Sequence, residues 1–416
     1  MGAADWLRAL GRSAPFASGP PREVALDAQE VFDDPYPVYA RLRREAPLAP
    51  VRGGGYLLTR YVDIRALLTD TAFGNRPSRF STLHSRFRDR RVAADLAANI
   101  LPFLDPPEHT ESRRLLAAAL RERLRGFDAE IEEVAARFVE AAAGRCELVS
   151  EVAAPYTRAL MCRLIGLPES DGPTLADLTG HFFRLFAPLT DAEVVEEVNR
   201  GLTAFRELIR DRRRGAPAGS LLTVLGEVGA GALSEAEIVD GAILVFADGV
   251  ENVATGAASV LLAAHRHGEA RAALEAGGEA AASAVSEALR LDSPAQIIAR
   301  VARRETELMG HAVREGVPVF LALGAANRDP EAFDDPDAFR LARNRAAVLT
   351  FGAGRHYCLG AGLAEAQIRA LTSRLVRRGY ELDGPAEGVR YRRRTGHRWP
   401  EALPLRRRNG SGQTIR

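Results

Sequence analysis

The stretch FGAGRHYCLGAGLAEAQ, residues 351–367, constrains this chain more than any other part of its sequence. Two glycines allow a tight backbone path ahead of Cys358, and a third glycine separates that cysteine from a helical pattern. A thiol just before a helix N-terminus, with Arg355 and His356 alongside, should have its thiolate form favoured. The alternative is a structural cysteine buried at a turn, but the spacing of the residues around Cys358 favours a functional one.

This stretch resembles the haem-binding loop of cytochrome P450s, whose pattern is FGxGxHxCxGxxLA. The matching positions are Phe351, Gly352, Gly354, His356, Cys358, Gly360, Leu363 and Ala364. The resemblance implies that Cys358 is the thiolate ligand of a haem iron, that Phe351 lies beside the cofactor, and that the cofactor is haem b. Gln367 stands where the family often has glutamate.

Three further segments match the family in the same order, so the resemblance extends from about residue 30 to 405. The segment SEALR supplies Glu287 and Arg290, which lie three apart on a helix and can form an ion pair. In the family a third polar residue completes this network. Here Ala338 occupies that position, so either Arg340 or Arg343 replaces it or the network is smaller.

Two segments resemble those that hold the haem propionates in bacterial members of the family. In DPPEHTESRRLL, residues 105–116, the matching side chains are His109 and Arg113, one helical turn apart. In SPAQIIARVA, residues 293–302, the matching side chain is Arg300. Together with His356, these groups are expected to surround two carboxylates with cationic and hydrogen-bonding atoms.

A long helix is predicted from Ser234 to about His267. Ser234 followed by Glu237 is a capping-box pattern, and the helical periodicity then continues for about 50 Å. In cytochrome P450s such a helix crosses above the haem. Its middle, VFADGVENVATG, places carboxylates in an apolar segment, where an unpaired charge is costly.

The family pattern in this helix is a pair of small residues, any residue, an acid and a threonine. Gly249 and Glu251 fit it, which implies a glycine close to the haem and a catalytic acid. Asp248 replaces the first small residue, and Asn252 replaces a threonine whose hydroxyl both donates and accepts hydrogen bonds.

Three interpretations of these side chains are open. In the first, Glu251 and waters relay protons while Asn252 orients oxygen. In the second, Asp248 or Asn252 contacts a polar or cationic substrate, and oxygen activation is partly substrate-assisted. In the third, nearby arginines or backbone groups merely satisfy the carboxylates.

Helical patterns dominate from about residue 107 to 290, and strand-like segments lie towards both chain ends. This distribution predicts a mainly helical α+β body with a small β-rich portion, and the resemblance implies the cytochrome P450 fold with a long central helix over the haem. We expect a loosely ordered segment at 1–25, a single cytochrome P450 domain at 26–405 and a flexible tail at 406–416.

The composition argues against several other classes of protein. The formal net charge of +1 does not fit a protein built to bind nucleic acid or a membrane surface. The sequence shows no signal-peptide pattern, and no run of about 18 apolar residues. Its three cysteines are unlike a secreted disulfide framework. We therefore expect a cytoplasmic protein, monomeric, with neither membrane nor nucleic-acid partners.

The resemblance also indicates which segments line the substrate pocket. The candidate contacts there are Phe182, Phe183, Phe186, Ala247, Val250, Ile297 and Ile298. The alternative for phenylalanines at helical spacing is a place in the core. Arginines between residues 76 and 91 either meet an acidic substrate or a carrier-protein phosphopantetheine, or are simply solvated.

No flavin or nicotinamide fingerprint is visible, so the resemblance implies electrons from a separate ferredoxin and ferredoxin reductase. Arg345 and Arg355, near the cysteine loop, are candidates for docking an acidic partner.

The leading hypothesis is a haem-thiolate monooxygenase that hydroxylates or epoxidises a small organic substrate, free or carrier-bound, in secondary metabolism such as antibiotic biosynthesis. One alternative is a cytochrome P450 that catalyses oxidative coupling, desaturation or peroxide-driven oxidation. The other is a non-catalytic haem protein that binds a ligand or senses a gas.

Overall fold

In the computed structural model the described residues are 23–79, 81–187 and 191–408. Most of the predicted N-terminal segment and tail, at 1–22 and 409–416, therefore lies outside them. Val24 forms a β-bridge with Val51, and Arg406 and Arg407 belong to the last strand. The folded body thus reaches slightly beyond the predicted domain boundaries at both ends.

Helices make up most of the body. The described residues contain fifteen α-helices: α1 Gln29–Asp33, α2 Pro35–Glu45, α3 Tyr61–Leu67, α4 Val92–Ala97, α5 Glu108–Arg123, α6 Phe127–Ala141, α7 Ala154–Ile165, α8 Gly172–Phe183, α9 Ala192–Arg213, α10 Leu221–Val228, α11 Glu235–Arg266, α12 Gly268–Ala276, α13 Gly278–Leu291, α14 Leu323–Ala326 and α15 Ala361–Arg377. Within those ranges, no helix is both long and apolar enough to cross a membrane.

The strands of the described residues form three small sheets. They are β1 Leu48–Pro50, β2 Tyr56–Leu58, β3 Phe73–Gly74, β4 Arg145–Glu147, β5 Ile297–Ala302, β6 Thr306–Leu308, β7 His311–Val313, β8 Pro318–Ala322, β9 Tyr380–Leu382 and β10 Pro404–Arg407. The largest sheet has the order β1-β2-β8-β5-β3, in which only β2 and β8 are parallel. It joins N-terminal strands to strands from residues 297–322, which confirms the predicted helical body with a small β-rich portion.

The central helix α11 organises the main core. Ser234 and Glu237 form the predicted capping box, in which each side chain accepts from the other residue's backbone N–H. The helix has 32 residues, and most of its side chains are buried. It packs against α7 and α15, the helix that follows the cysteine loop.

A buried ion pair fastens α9 to α11. Arg206 donates to both carboxylate oxygens of Asp240, which is fully buried, and to Asp95 at 2.7 Å. Asn99 donates to the same Asp240 carboxylate at 2.8 Å. These four side chains satisfy one another, so the acid near the start of α11 is a structural residue.

The predicted Glu287–Arg290 pair is buried and bidentate, with both N–O distances at 2.8 Å. Arg290 also donates to the carbonyls of Asn327, Pro336 and Ala338, at 2.6, 2.7 and 3.2 Å. Ala338, which lacks a polar side chain, thus contributes through its backbone.

Arg343 is the third side chain of this network. Its guanidinium donates to Glu287 at 2.8 Å and is 9% exposed. The Arg340 side chain instead pairs with the exposed Asp335, and only the Arg340 backbone N–H reaches Glu287. The structure therefore decides between the two predicted substitutes in favour of Arg343.

Candidate active site

Cys358 lies between a short 3-10 turn, Gly354–His356, and helix α15. Its backbone N–H donates to the carbonyl of Phe351 at 3.0 Å, which closes the loop. Gly354 has a φ of +71°, and a Cβ there would lie 2.9 Å from the carbonyl oxygen of Leu68. The loop can therefore approach the Leu68 backbone this closely only with glycine at position 354.

The Cys358 side chain keeps accessible surface although protein surrounds it. Burial raises the pKa of its thiol to about 11, and the Asp248 carboxylate adds to the rise. The Gly360 N–H and Arg113 act in the opposite direction but do not outweigh burial. The protein alone thus does not favour the thiolate, contrary to the expectation from its place before a helix. A cation bound to the sulfur would reverse this balance.

The predicted propionate-binding groups lie together beside this loop. The rings of His109 and His356 have centroids 4.1 Å apart. Arg113 donates to the carbonyl of Tyr357 at 2.7 Å and so ties α5 to the cysteine loop. Burial lowers the pKa of Arg300 to about 10. Burial, together with the positive charges of the neighbouring groups, lowers the pKa of His356 to about 3.

This cluster has the atoms needed to hold two carboxylates. Nε2 of His109 and Nε2 of His356 are buried without a hydrogen-bond partner, which is rare for polar atoms in folded proteins. The side chain of Arg300 donates only to the carbonyl of Ala299 among the described residues. An accessible thiol next to orphaned donors and cations fits a haem bound through Cys358, with its propionates on this cluster.

The middle of α11 presents two kinds of side chain. Asp248, Glu251 and Asn252 keep accessible surface, whereas Ala247 and Val250 are 0% and 1% exposed. Because successive helical residues are rotated by about 100°, the polar residues share one face and the two apolar residues point into the core.

Glu251 is already paired. Arg392, from the C-terminal part of the chain, donates to its carboxylate at 3.0 Å. Glu251 thus has the arginine partner that the third interpretation names, and this contact is equally compatible with the proton relay of the first.

Asp248 and Asn252 are not satisfied. Asp248 forms no hydrogen bond or ion pair with any residue in the described ranges, and burial raises its pKa to about 7. The Oδ1 atom of Asn252 is buried without a partner. In the described residues, neither of the partners that the third interpretation names, an arginine or a backbone group, bonds to the Asp248 carboxylate.

Gly249 packs against α7. A Cβ at this position would lie 2.6 Å from Cε and 3.2 Å from Cγ of Met161. A helix–helix contact thus accounts for the glycine, a reason that the sequence analysis did not give; the haem contact expected of Gly249 stays a prediction.

The candidate substrate contacts divide into two groups. Phe182 is 0% exposed and Phe183 is 4% exposed. With Ala247 and Val250 they belong to the main core. Core packing therefore explains their apolar character, and they offer little or no surface to a ligand in this structure.

Ile297 and Ile298, at the start of β5, are partly accessible. Phe186 is 43% exposed and stacks on Phe103.

A hairpin at residues 391–400 is the part of the site that sequence reasoning missed. A bridge joins Tyr391 to Pro400, and the Arg392 N–H donates to the carbonyl of Trp399 at 2.8 Å. The Arg394 guanidinium lies 5.0 Å from the ring centroid of Phe183 and 4.8 Å from that of Trp399. The Thr-Gly turn in YRRRTGHRWP was the available signal, but its run of arginines resembles a solvated segment.

Several of the other arginines considered above have local partners. Arg76 pairs with Glu108, and Arg88 donates to Asn99 at 2.9 Å. Arg345 contacts Glu279 and Glu365 at 3.1 and 3.2 Å, so its charge is partly compensated within the chain.

Known proteins resemble this chain in sequence and in fold. A family model described as cytochrome P450 matches residues 281–388. Biflaviolin synthase CYP158A1 of Streptomyces coelicolor is 33% identical, over 91% of this chain and 94% of the relative. Nocardicin C N-oxygenase of Nocardia uniformis is 34% identical, over 95% of this chain and 98% of the relative.

A solved structure extends the likeness to three dimensions. P450BioI, crystallised in complex with an acyl carrier protein ligated to hexadec-9Z-enoic acid, matches with a TM-score of 0.81 and 27% identity. The match covers 91% of this chain and 100% of that chain. With the cysteine loop, the buried Glu287–Arg290 network and full-length relatives in agreement, this chain belongs to the cytochrome P450 family and is an oxidoreductase of the monooxygenase type.

Proposed function

We propose that this cytochrome P450 inserts one oxygen atom from O2 into a small organic molecule of secondary metabolism, by hydroxylation or epoxidation. The observation that carries the proposal is the convergence of an accessible thiol with a cluster of cations and two orphaned histidine nitrogens. The names of biflaviolin synthase and nocardicin C N-oxygenase support a place in secondary metabolism.

The cofactor proposed is haem b. Cys358 would bind its iron through sulfur, and His109, Arg113, Arg300 and His356 would hold its propionates. When bound, the haem supplies the activation of dioxygen. The protein would position the haem, and its cationic side chains would compensate the negative charge of the propionates.

Two side chains of α11 handle protons on the accessible face. Glu251 offers a carboxylate that can exchange protons at its Oε atoms, and Arg392 fixes its position. Asn252 provides both an N–H donor and a carbonyl acceptor one residue further along the helix. The buried side chains of Ala247 and Val250 close the opposite face against water.

Electrons are proposed to come from a ferredoxin and its reductase. A carrier-bound substrate is a second element of the proposal, supported by the complex of P450BioI with an acyl carrier protein. The cytoplasmic location and the monomeric state stay predictions.

The carbon monoxide spectrum of the reduced holoprotein tests the thiolate assignment. Wild type should show the Soret position typical of a thiolate-bound haem, whereas Cys358→His should lose it and keep the haem. Cys146→Ser, which alters a cysteine remote from the site, should match wild type. A wild-type spectrum identical to that of Cys358→His would overturn the proposal.

A further inference from the structure

We propose that the substrate carries a protonated primary or secondary amine, and that Asp248 and Asn252 on the accessible face of α11 bind it. This inference rests on the monooxygenase function proposed above and names the substrate class for the same site.

The first argument is the charge of Asp248. Asp248 keeps some accessible surface, but protein surrounds its carboxylate closely enough that burial raises its pKa. Such a carboxylate is costly to keep charged unless a cation or several hydrogen-bond donors accompany it. No residue in the described part of the chain supplies either to Asp248, whose charge also raises the pKa of Cys358. The missing partner is therefore expected to come from a ligand.

The two hairpin arginines that lie near Glu251 are already engaged. Arg392 is bound to Glu251 at 3.0 Å. Arg394 packs over the rings of Phe183 and Trp399 and experiences the charge of Glu251, not that of Asp248. The hairpin arginines thus compensate the negative charge of Glu251. No residue in the described part of the chain compensates the negative charge of Asp248.

The second argument is the position of Asn252. Residues four apart lie on the same face of a helix, so Asn252 is a direct neighbour of Asp248. Its Oδ1 atom is buried without a donor. Two neighbouring acceptors with no donor between them are complementary to a group that has several N–H bonds and a positive charge.

An ammonium group meets this requirement better than the alternatives. It has up to three donors and no acceptor, so it can bind the carboxylate and the amide oxygen together. An alcohol offers one donor and leaves the charge of Asp248 uncompensated. A carboxylate ligand would be repelled. Contact with a cation would also lower the pKa of Asp248, which burial raises to about 7.

The test is a matched pair of ligands titrated into the holoprotein by calorimetry. The probes are 2-phenylethylamine and its neutral isostere 2-phenylethanol, and the quantity compared is the ratio of their dissociation constants. Wild type should bind the amine at least about 10-fold more tightly, as expected for charge-assisted hydrogen bonds. Asp248→Asn should bring the ratio close to unity, and Asn252→Ala should reduce it in part.

Glu235→Gln is the matched control, because it removes one negative charge from the first turn of the same helix, far from the site. It should leave the ratio unchanged. A wild-type ratio near unity, or a ratio that survives in Asp248→Asn, would overturn the inference. A wild-type ratio near unity overturns the inference even if Asp248→Asn does not fold.

The carbon monoxide spectrum separates this inference from the proposed function. A normal thiolate spectrum with no amine preference would refute the amine site alone. Loss of the thiolate spectrum in wild type would refute the proposed function itself.

Discussion

Five consecutive residues of α11, 248–252, lie in different environments. Asp248 and Asn252 keep accessible surface, and their side chains have no partner among the described residues. Glu251 is bound to Arg392, and Val250 is buried in the core. Gly249 faces Met161 of the neighbouring helix. A rotation of about 100° per residue separates these environments, so a substitution at one position tests a different contact from a substitution at the next.

Alanine at Gly249 and at Gly241 should have opposite effects on the free energy of unfolding. In a helix interior, Gly→Ala is favourable by up to about 1 kcal/mol. At Gly241 the nearest atom to a new Cβ is Leu225 Cδ2 at 3.5 Å, an ordinary contact, so Gly241→Ala should stabilise the protein. At Gly249 the new Cβ would meet Met161 Cε at 2.6 Å. Such overpacking costs about 1–3 kcal/mol, so Gly249→Ala should destabilise. Urea unfolding of both variants measures the difference; equal stabilisation would contradict the predicted clash.

Among the elements, the hairpin at 391–400 brings the C-terminal part of the chain into contact with α11. It places Arg392 on Glu251 and buries His397 against Trp399, with ring centroids 4.6 Å apart. Burial lowers the pKa of His397 to about 4, and the charge of Arg394 contributes to the decrease. An unfolded histidine takes up its proton near pH 6.5. Between these values the unfolded chain binds the extra proton, so stability must fall as the pH falls from about 6.5 to 4.

His397→Phe should remove this contribution to acid sensitivity. Phenylalanine keeps an aromatic ring next to Trp399 but cannot be protonated. The wild type should lose up to about 3 kcal/mol more than the variant between pH 7 and pH 4, the upper bound set by the pKa difference. Urea unfolding at several pH values measures both slopes. Parallel slopes for the two proteins would show that His397 is not responsible.

At the scale of the whole molecule, the Glu287 network connects α13 to the segment that leads into the cysteine loop. Arg290 and Arg343 bind Glu287, and Arg290 also holds the carbonyl of Asn327. The Asn327 side chain in turn accepts from the Leu349 N–H at 2.7 Å, just before the loop. Stability of the fold and retention of the cofactor are therefore expected to change together.

Arg343→Ala and Arg340→Ala form a matched pair for this network. Loss of the buried Arg343 should cost about 1.5–3 kcal/mol, because Glu287 loses a charged hydrogen bond, and should lower the haem content. Loss of Arg340 removes only an exposed pair with Asp335, which contributes about 0–1 kcal/mol, and leaves its backbone N–H on Glu287. Urea unfolding and haem absorbance per protein measure both effects. Equal losses in the two variants would contradict the assignment of Arg343 to the network.

The sequence alone determined the features that depend on spacing along the chain. The glycine-rich turn before Cys358, the capping box at Ser234 and the i, i+3 pair of Glu287 and Arg290 are each local patterns. Backbone geometry links such spacings directly to local structure. The family, its fold and the place of the long helix followed from the resemblance that these patterns carry.

Only the tertiary structure decided which distant residue meets which side chain. It brought Arg392 to Glu251 across 141 positions, chose Arg343 over Arg340, and placed Ala247, Val250 and Phe182 in the core. It also gave the Cys358 thiol a raised pKa where its local sequence indicated a lowered one. The physical reason is common to all of these: burial and charge compensation depend on everything packed around a side chain, and most of that packing comes from remote parts of the chain.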